Sequence, residues 1–97
     1  MTRQEALRRL QAASPRLKAA GVGALYLFGS TARDEAGPDS DVDLFFDPGR
    51  TGLSLFDVMD VRDIAQEEVG VAVDVMTRGS IHPYLRQRIE AEAVQVF

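Results

Sequence analysis

The segment Ser40-Asp41-Val42-Asp43-Leu44-Phe45-Phe46 constrains this chain most, because it interleaves two carboxylates with apolar side chains in strict alternation. A period of two predicts a strand with Val42, Leu44 and Phe46 on one face and Asp41, Asp43 and Phe45 on the other. The Cα atoms of the two aspartates are then about 6.5 Å apart on the same side. Strands are depleted in Asp, so a same-face pair needs a reason. Like charges held there repel unless a cation lies between them. Asp39-x-Asp41-x-Asp43 also opens like a calcium-binding loop, but that loop requires Gly next and an acidic residue at its twelfth position. Leu44 and Arg50 stand there instead, and the loop reading fails.

Two further segments bear on the same chemistry. Ala24-Leu25-Tyr26-Leu27-Phe28 predicts a strand that ends in Gly29-Ser30, where a helix can start. Such a turn presents unpaired backbone N–H groups and a positive helix end to an anion. There is no Gly-x4-Gly-Lys-Ser/Thr, so it is not a Walker loop. Later, Val71 to Met76 predicts a third strand, with Val71, Val73 and Val75 on one face and Asp74 on the other with Ala72. Its parity matches that of the Asp41-x-Asp43 strand.

Gly29-Ser30, ten residues, Asp41-x-Asp43 and a third carboxylate on a later strand together resemble the nucleotidyltransferases of the DNA polymerase beta superfamily. The pattern is similar in particular to the minimal nucleotidyltransferases that act as antitoxins beside HEPN-domain toxins. The resemblance implies an α/β (α+β) fold, a small mixed sheet with helices packed on one face. It implies Asp41, Asp43 and Asp74 as catalytic and metal-holding residues, with Mg²⁺ at up to two sites and Mn²⁺ able to substitute. It places Gly29, Ser30, Arg33 and Ser40 at the nucleotide. The function implied is transfer of AMP from ATP to a hydroxyl, most simply a Tyr, of a HEPN-type toxin. Asp34 departs from the pattern, since many relatives have Gly after the Ala-Arg pair, and it adds negative charge near a phosphate. That departure keeps a second reading open, a non-catalytic module that neutralises a partner by contact. Simpler roles exist for two residues: Arg33 can pair with Asp34, Glu35 or Asp39, and Ser40 can bond its own turn.

Composition limits the rest. Ninety-seven residues make a single domain, 1–97, too small for a catalytic core plus a separate acceptor-binding domain. The acceptor is then presented by another chain, which weighs against a small-molecule substrate; a homo-oligomer is compatible with this size. With 45% hydrophobic and 27% charged residues the chain reads as globular. A net charge of −4 disfavours direct nucleic-acid binding, whose affinity rests on Lys and Arg neutralising phosphates. No cysteine is present, so disulfides and thiolate metal sites are excluded and a reducing cytoplasm is the expected location. No apolar run approaches a membrane span, and Met1-Thr2-Arg3-Gln4-Glu5 lacks a signal-peptide core.

Thr2 with Glu5 predicts a capped amphipathic helix through Ala6, Leu10, Ala13, Leu17 and Ala20, kinked or restarted at Ser14-Pro15 and stopped by Gly21. A short helix should follow Ser30 or Thr31 to about Glu35. Ser54 should cap a helix to about Val69 that carries Val58, Val61 and Ala65 inward, with Gly70 as its stop. A last helix from about Pro83 should bury Leu85 and Ile89, ahead of a short strand from Val94 to Phe97. His82, the only histidine, reads as a helix-start residue. Arg78, Arg86 and Arg88 read as a solvated basic face.

Overall fold

Pro15 divides the N-terminal helix in two in the computed structural model, which describes residues 1–97. Helix α1 (Arg3–Ala12) is capped by the Thr2 hydroxyl, which accepts from the Glu5 N–H at 3.1 Å. Helix α2 (Ser14–Ala19) restarts with Pro in its first turn, where a missing N–H is harmless, although Ala13 rather than Ser14 stands at its cap. Ala6, Leu10, Ala13 and Leu17 are all buried, as their spacing predicts.

Strand β1 (Val22–Phe28) runs directly into the one-turn helix α3 (Gly29–Ala32), and β2 (Val42–Pro48) returns antiparallel to β1. Helix α4 (Leu55–Val69) then crosses to β3 (Val73–Thr77), which lies parallel to β2. A complete capping box opens α4, with Asp57 accepting from the Ser54 N–H at 2.8 Å, and Gly70 closes it at φ +77°. A short 3-10 turn (Arg78–Ser80) leads to α5 (Pro83–Glu92) and to β4 (Val94–Gln95), which pairs antiparallel with β1. The sheet order is β3-β2-β1-β4, a mixed sheet. Beyond β4 the chain stays beside β1 through bonds between Leu25 and residues Val96 and Phe97.

One face of the sheet carries the main core, where Leu25, Leu27, Val42, Leu44, Phe46 and Val73 pack with the apolar stripes of α1, α2 and α4. Val61 and Ala65 of α4 are fully buried there and Val58 is partly so. The other face holds a smaller cluster, Phe28, Phe45, Ile81 and Ile89, under α5. Leu85 was expected inside that helix but is 42% exposed; Ile81, before the helix begins, fills the place instead. His82 caps α5 by accepting at Nδ1 from the Tyr84 N–H at 3.2 Å. No helix is long and apolar enough to cross a membrane.

Candidate active site

The period-two pattern puts Asp43 and Asp74 on the face opposite the main core; Asp41, expected on the same strand, stands just before β2, near enough for its charge to act on Asp43. The parallel pairing of β2 with β3 then makes Asp43 and Asp74 register partners, while on its other side Asp43 is opposite Phe28 of β1. Asp43 is half-buried; Asp41 and Asp74 are exposed. Burial first, then the charges of Asp74 and Asp41, push the Asp43 carboxyl above its ordinary range. No arginine or lysine forms a salt bridge with any of the three.

Gly29 joins this strand pair to the turn. Its φ is +75°, a conformation that glycine adopts without strain, and a Cβ built there would collide with the Asp43 carboxylate. The backbone of the turn is therefore packed directly against the central carboxylate. The first N–H groups of α3 have no intrahelical acceptor. Arg33 lies just past this helix, paired with Glu35 at 3.2 Å and with Glu92 at 2.8 Å. Glu92 also accepts from the Gly29 N–H at 3.2 Å. Sequence reasoning missed Glu92. The available signal was its spacing of three from the buried Ile89, which puts both on one face of α5.

Asp34 is engaged by the N-terminal helix. It has φ +60°, where glycine is at ease and Asp is tolerated, and its carboxylate accepts from the Arg3 N–H at 3.0 Å, at the start of α1. The carboxylate thus has a structural partner at a helix start, where negative charge is favourable. Ser40 serves its turn: its hydroxyl accepts from the Gly37 N–H at 3.0 Å. Arg78 does not belong to a solvated basic face. It holds Asp47 through two bonds of 2.7 and 3.1 Å, pairs with Glu90, and lies over the stacked rings of Tyr26 and Phe45.

The donor set suits a hard divalent cation: carboxylate oxygens only, mutually repelling and in no salt bridge, with Arg33 acting on Asp43 only through its field. No three His, Asp or Glu side chains converge on one metal position, so any cation here has at most two side-chain ligands from this chain. An open arrangement is what Mg²⁺ uses, since it takes one or two carboxylates and completes its shell with water and phosphate oxygens.

Comparison with known proteins gives the family. Residues 5–96 match the nucleotidyltransferase domain family. A candidate protein adenylyltransferase of Methanocaldococcus jannaschii is 43% identical over 76 residues, covering 78% of this chain and 81% of that protein. A solved candidate minimal nucleotidyltransferase superposes with a TM-score of 0.83 at 30% identity, over 97% of this chain and 95% of that one. The same fold recurs, at 19% identity and a TM-score of 0.72, in a toxin-antitoxin complex with AMP-PNP, over 90% of this chain and 72% of that one. It recurs again, at 17% identity and a TM-score of 0.66, in a complex of a tri-AMPylated Shewanella oneidensis HEPN toxin with its MNT antitoxin, over 94% and 71%. A mixed sheet that sets a Gly-Ser turn against paired strand aspartates, matched over nearly its whole length, makes this chain a minimal nucleotidyltransferase of the nucleotidyltransferase domain family.

Proposed function

We propose that this chain transfers AMP from ATP to a hydroxyl of a HEPN-type toxin, most simply a Tyr, and acts as that toxin's antitoxin. The observation that carries the proposal is the Asp43–Asp74 register pair abutting the Gly29 turn. It sets an anion-binding backbone beside two carboxylates on one surface. The candidate adenylyltransferase relative and the tri-AMPylated toxin complex support the reaction class and the kind of partner.

In this reading the backbone after Gly29, with Ser30 and Arg33, holds the outer phosphates of the triphosphate, and Ser40 borders the nucleotide from its turn. Asp41 and Asp43 would hold Mg²⁺, or Mn²⁺ in its place, with Asp74 sharing a second ion; such ions neutralise phosphate charge and lower the pKa of an attacking hydroxyl. Asp74, exposed on the edge strand, accepts the proton of the acceptor hydroxyl. The acceptor oxygen bonds to the α-phosphorus, the bond to the bridging oxygen breaks, and pyrophosphate leaves. Positioning and fixed charge supply most of the rate.

The test is to incubate the chain with the product of a neighbouring HEPN gene, ATP and Mg²⁺, and to weigh the partner. Its mass should rise by whole AMP units, and only with Asp41 and Asp43 intact. Neutralisation of the toxin with no mass change, undiminished when both aspartates are replaced, would instead establish the contact-only module.

A further inference from the structure

Glu92 places a carboxylate where the proposed reaction needs phosphate. The residue ends α5, and both of its oxygens are engaged at the site: Oε1 accepts from the Gly29 N–H at 3.2 Å and Oε2 from Arg33 Nη1 at 2.8 Å. Its side chain is only 21% exposed, against 44% for Arg33, so the carboxylate is tucked against the turn and the guanidinium covers it. Two groups assigned to the nucleotide are therefore already held by an anion of the chain itself.

The position is costly for a negative charge. Asp43 and Asp74 occupy the adjoining strand surface, with Asp41 just before it, and Glu92 adds to the fields that disfavour ionised Asp43. What offsets that repulsion is the Gly29 N–H and the Arg33 guanidinium, donors that suit a phosphate oxygen equally well. A more highly charged anion of the same geometry therefore competes for both.

We propose that Glu92 is a displaceable occupant of the phosphate cradle, so that a triphosphate binds by expelling its carboxylate from Gly29 and Arg33. This rests on the assignment of the Gly29–Ser30 turn to phosphate. Expulsion also acts at a distance. Glu92 is followed at once by Ala93 and by β4, whose pairing with β1 is only two residues long, Tyr26 with Gln95 and Leu27 with Val94. The same helix carries Ile89 into the cluster with Phe28 and Phe45. Nucleotide occupancy is thereby linked to the junction between α5 and β4.

Titration of the purified chain with ATP and with inorganic tripolyphosphate tests this, the second probe having no base or sugar. Glu92→Gln leaves an acceptor for Gly29 but removes the charge that holds Arg33; thermal unfolding checks the fold. Affinity for both probes should rise about tenfold, because a neutral amide holds Gly29 and Arg33 more weakly than a carboxylate and yields them more readily to phosphate. Unchanged or weaker binding overturns the proposal, the weaker case meaning that Glu92 positions Arg33. Binding that Arg33→Ala abolishes and Glu92→Gln leaves alone would overturn the competition while sparing the cradle. No binding of either probe to any variant would strike down the cradle as well. Should Glu92→Gln fail to fold, hydrogen exchange of the wild type decides: tripolyphosphate must speed exchange over residues 91–95, and slowed or unchanged exchange refutes expulsion.

Discussion

Asp43 and Asp74 stand side by side as register partners on two parallel strands, facing away from the main core. Nothing in the strands' own hydrogen bonding relieves their repulsion, and Asp43, with Phe28 and the Gly29 turn on its other flank, is the more enclosed of the two. The pair is a strained arrangement for the fold and a prepared one for a cation.

Asp43→Asn is therefore expected to stabilise the chain at neutral pH without divalent ions. Burial and then Asp74 hold the folded carboxyl above its unfolded value, so the folded state binds the proton more tightly. Stability is lost as pH rises from the ordinary carboxylate range through the raised one, and the loss is complete above it. The group is partly exposed, so solvent screening keeps the gain small, and it reads as a higher Tm of the variant. Melting curves should show the variant's advantage at pH 7 and its disappearance in acid below the ordinary range. A constant difference across pH would contradict the assignment of the repulsion.

Gly29→Ala should damage metal and nucleotide sites together. The φ of +75° costs a non-glycine residue about 1–2 kcal/mol, and the added methyl meets the Asp43 carboxylate itself. Reduced Tm, weaker triphosphate binding and weaker Mn²⁺ binding should appear in one variant. Intact Mn²⁺ affinity would mean that Asp43 moves freely beside the turn.

The carboxylate face was legible because β2 and β3 each keep a period of two, so the side on which each Asp lies follows from local sequence alone. That Asp43 meets Asp74, rather than lying a residue or two out of step, was not legible, because register is set by pairing across the sheet. Glu92 and Arg78 were missed for a related reason. Each derives its role from residues distant in sequence, Gly29 and Arg33 in one case, Asp47, Tyr26 and Phe45 in the other. Leu85 was misplaced because α5 meets the sheet through only one short stripe, ending at Ile89, and Ile81 before the helix supplies the remaining apolar contact.

Asp34 should behave as a structural residue. Asp34→Gly trades the bond to the Arg3 N–H for an unstrained αL turn and should change stability by less than about 0.5 kcal/mol. Asp34→Ala loses the bond and keeps the strain, and should cost about 1–2 kcal/mol. Neither should alter triphosphate affinity more than about twofold, a figure for an exposed charge engaged elsewhere. A large gain in affinity for either variant, measured by titration at fixed salt, would return Asp34 to the phosphate site.

Arg78 supports the sheet beneath the site. Its guanidinium caps the stacked Tyr26 and Phe45 rings at 4.8 and 4.9 Å from their centroids while pairing with Asp47 and Glu90. Arg78→Lys keeps the charge but loses the planar fork and should cost about 1–2 kcal/mol; Arg78→Ala should cost about 3 kcal/mol. Denaturant unfolding measures both. Equal stability of the lysine variant would show that charge alone, without stacking, accounts for the residue.

Asp74→Asn should separate turnover from binding. Of the three carboxylates, Asp74 is the one on the edge strand, exposed and bordered by Leu55, Met59 and Arg62 of α4, so it is open to an incoming protein side chain. It is remote in the chain from the Gly29–Ser30 turn, and its proposed work is on the acceptor hydroxyl. Amide substitution also removes one of the charges that act on Asp43, which eases rather than hinders the approach of a triphosphate. Titration should find ATP affinity retained or slightly increased, while transfer to the partner falls by at least about a hundredfold, the usual effect of losing a general base. Proportionate loss of ATP binding would place Asp74 with the nucleotide; undiminished transfer at neutral pH would leave the acceptor proton to another group.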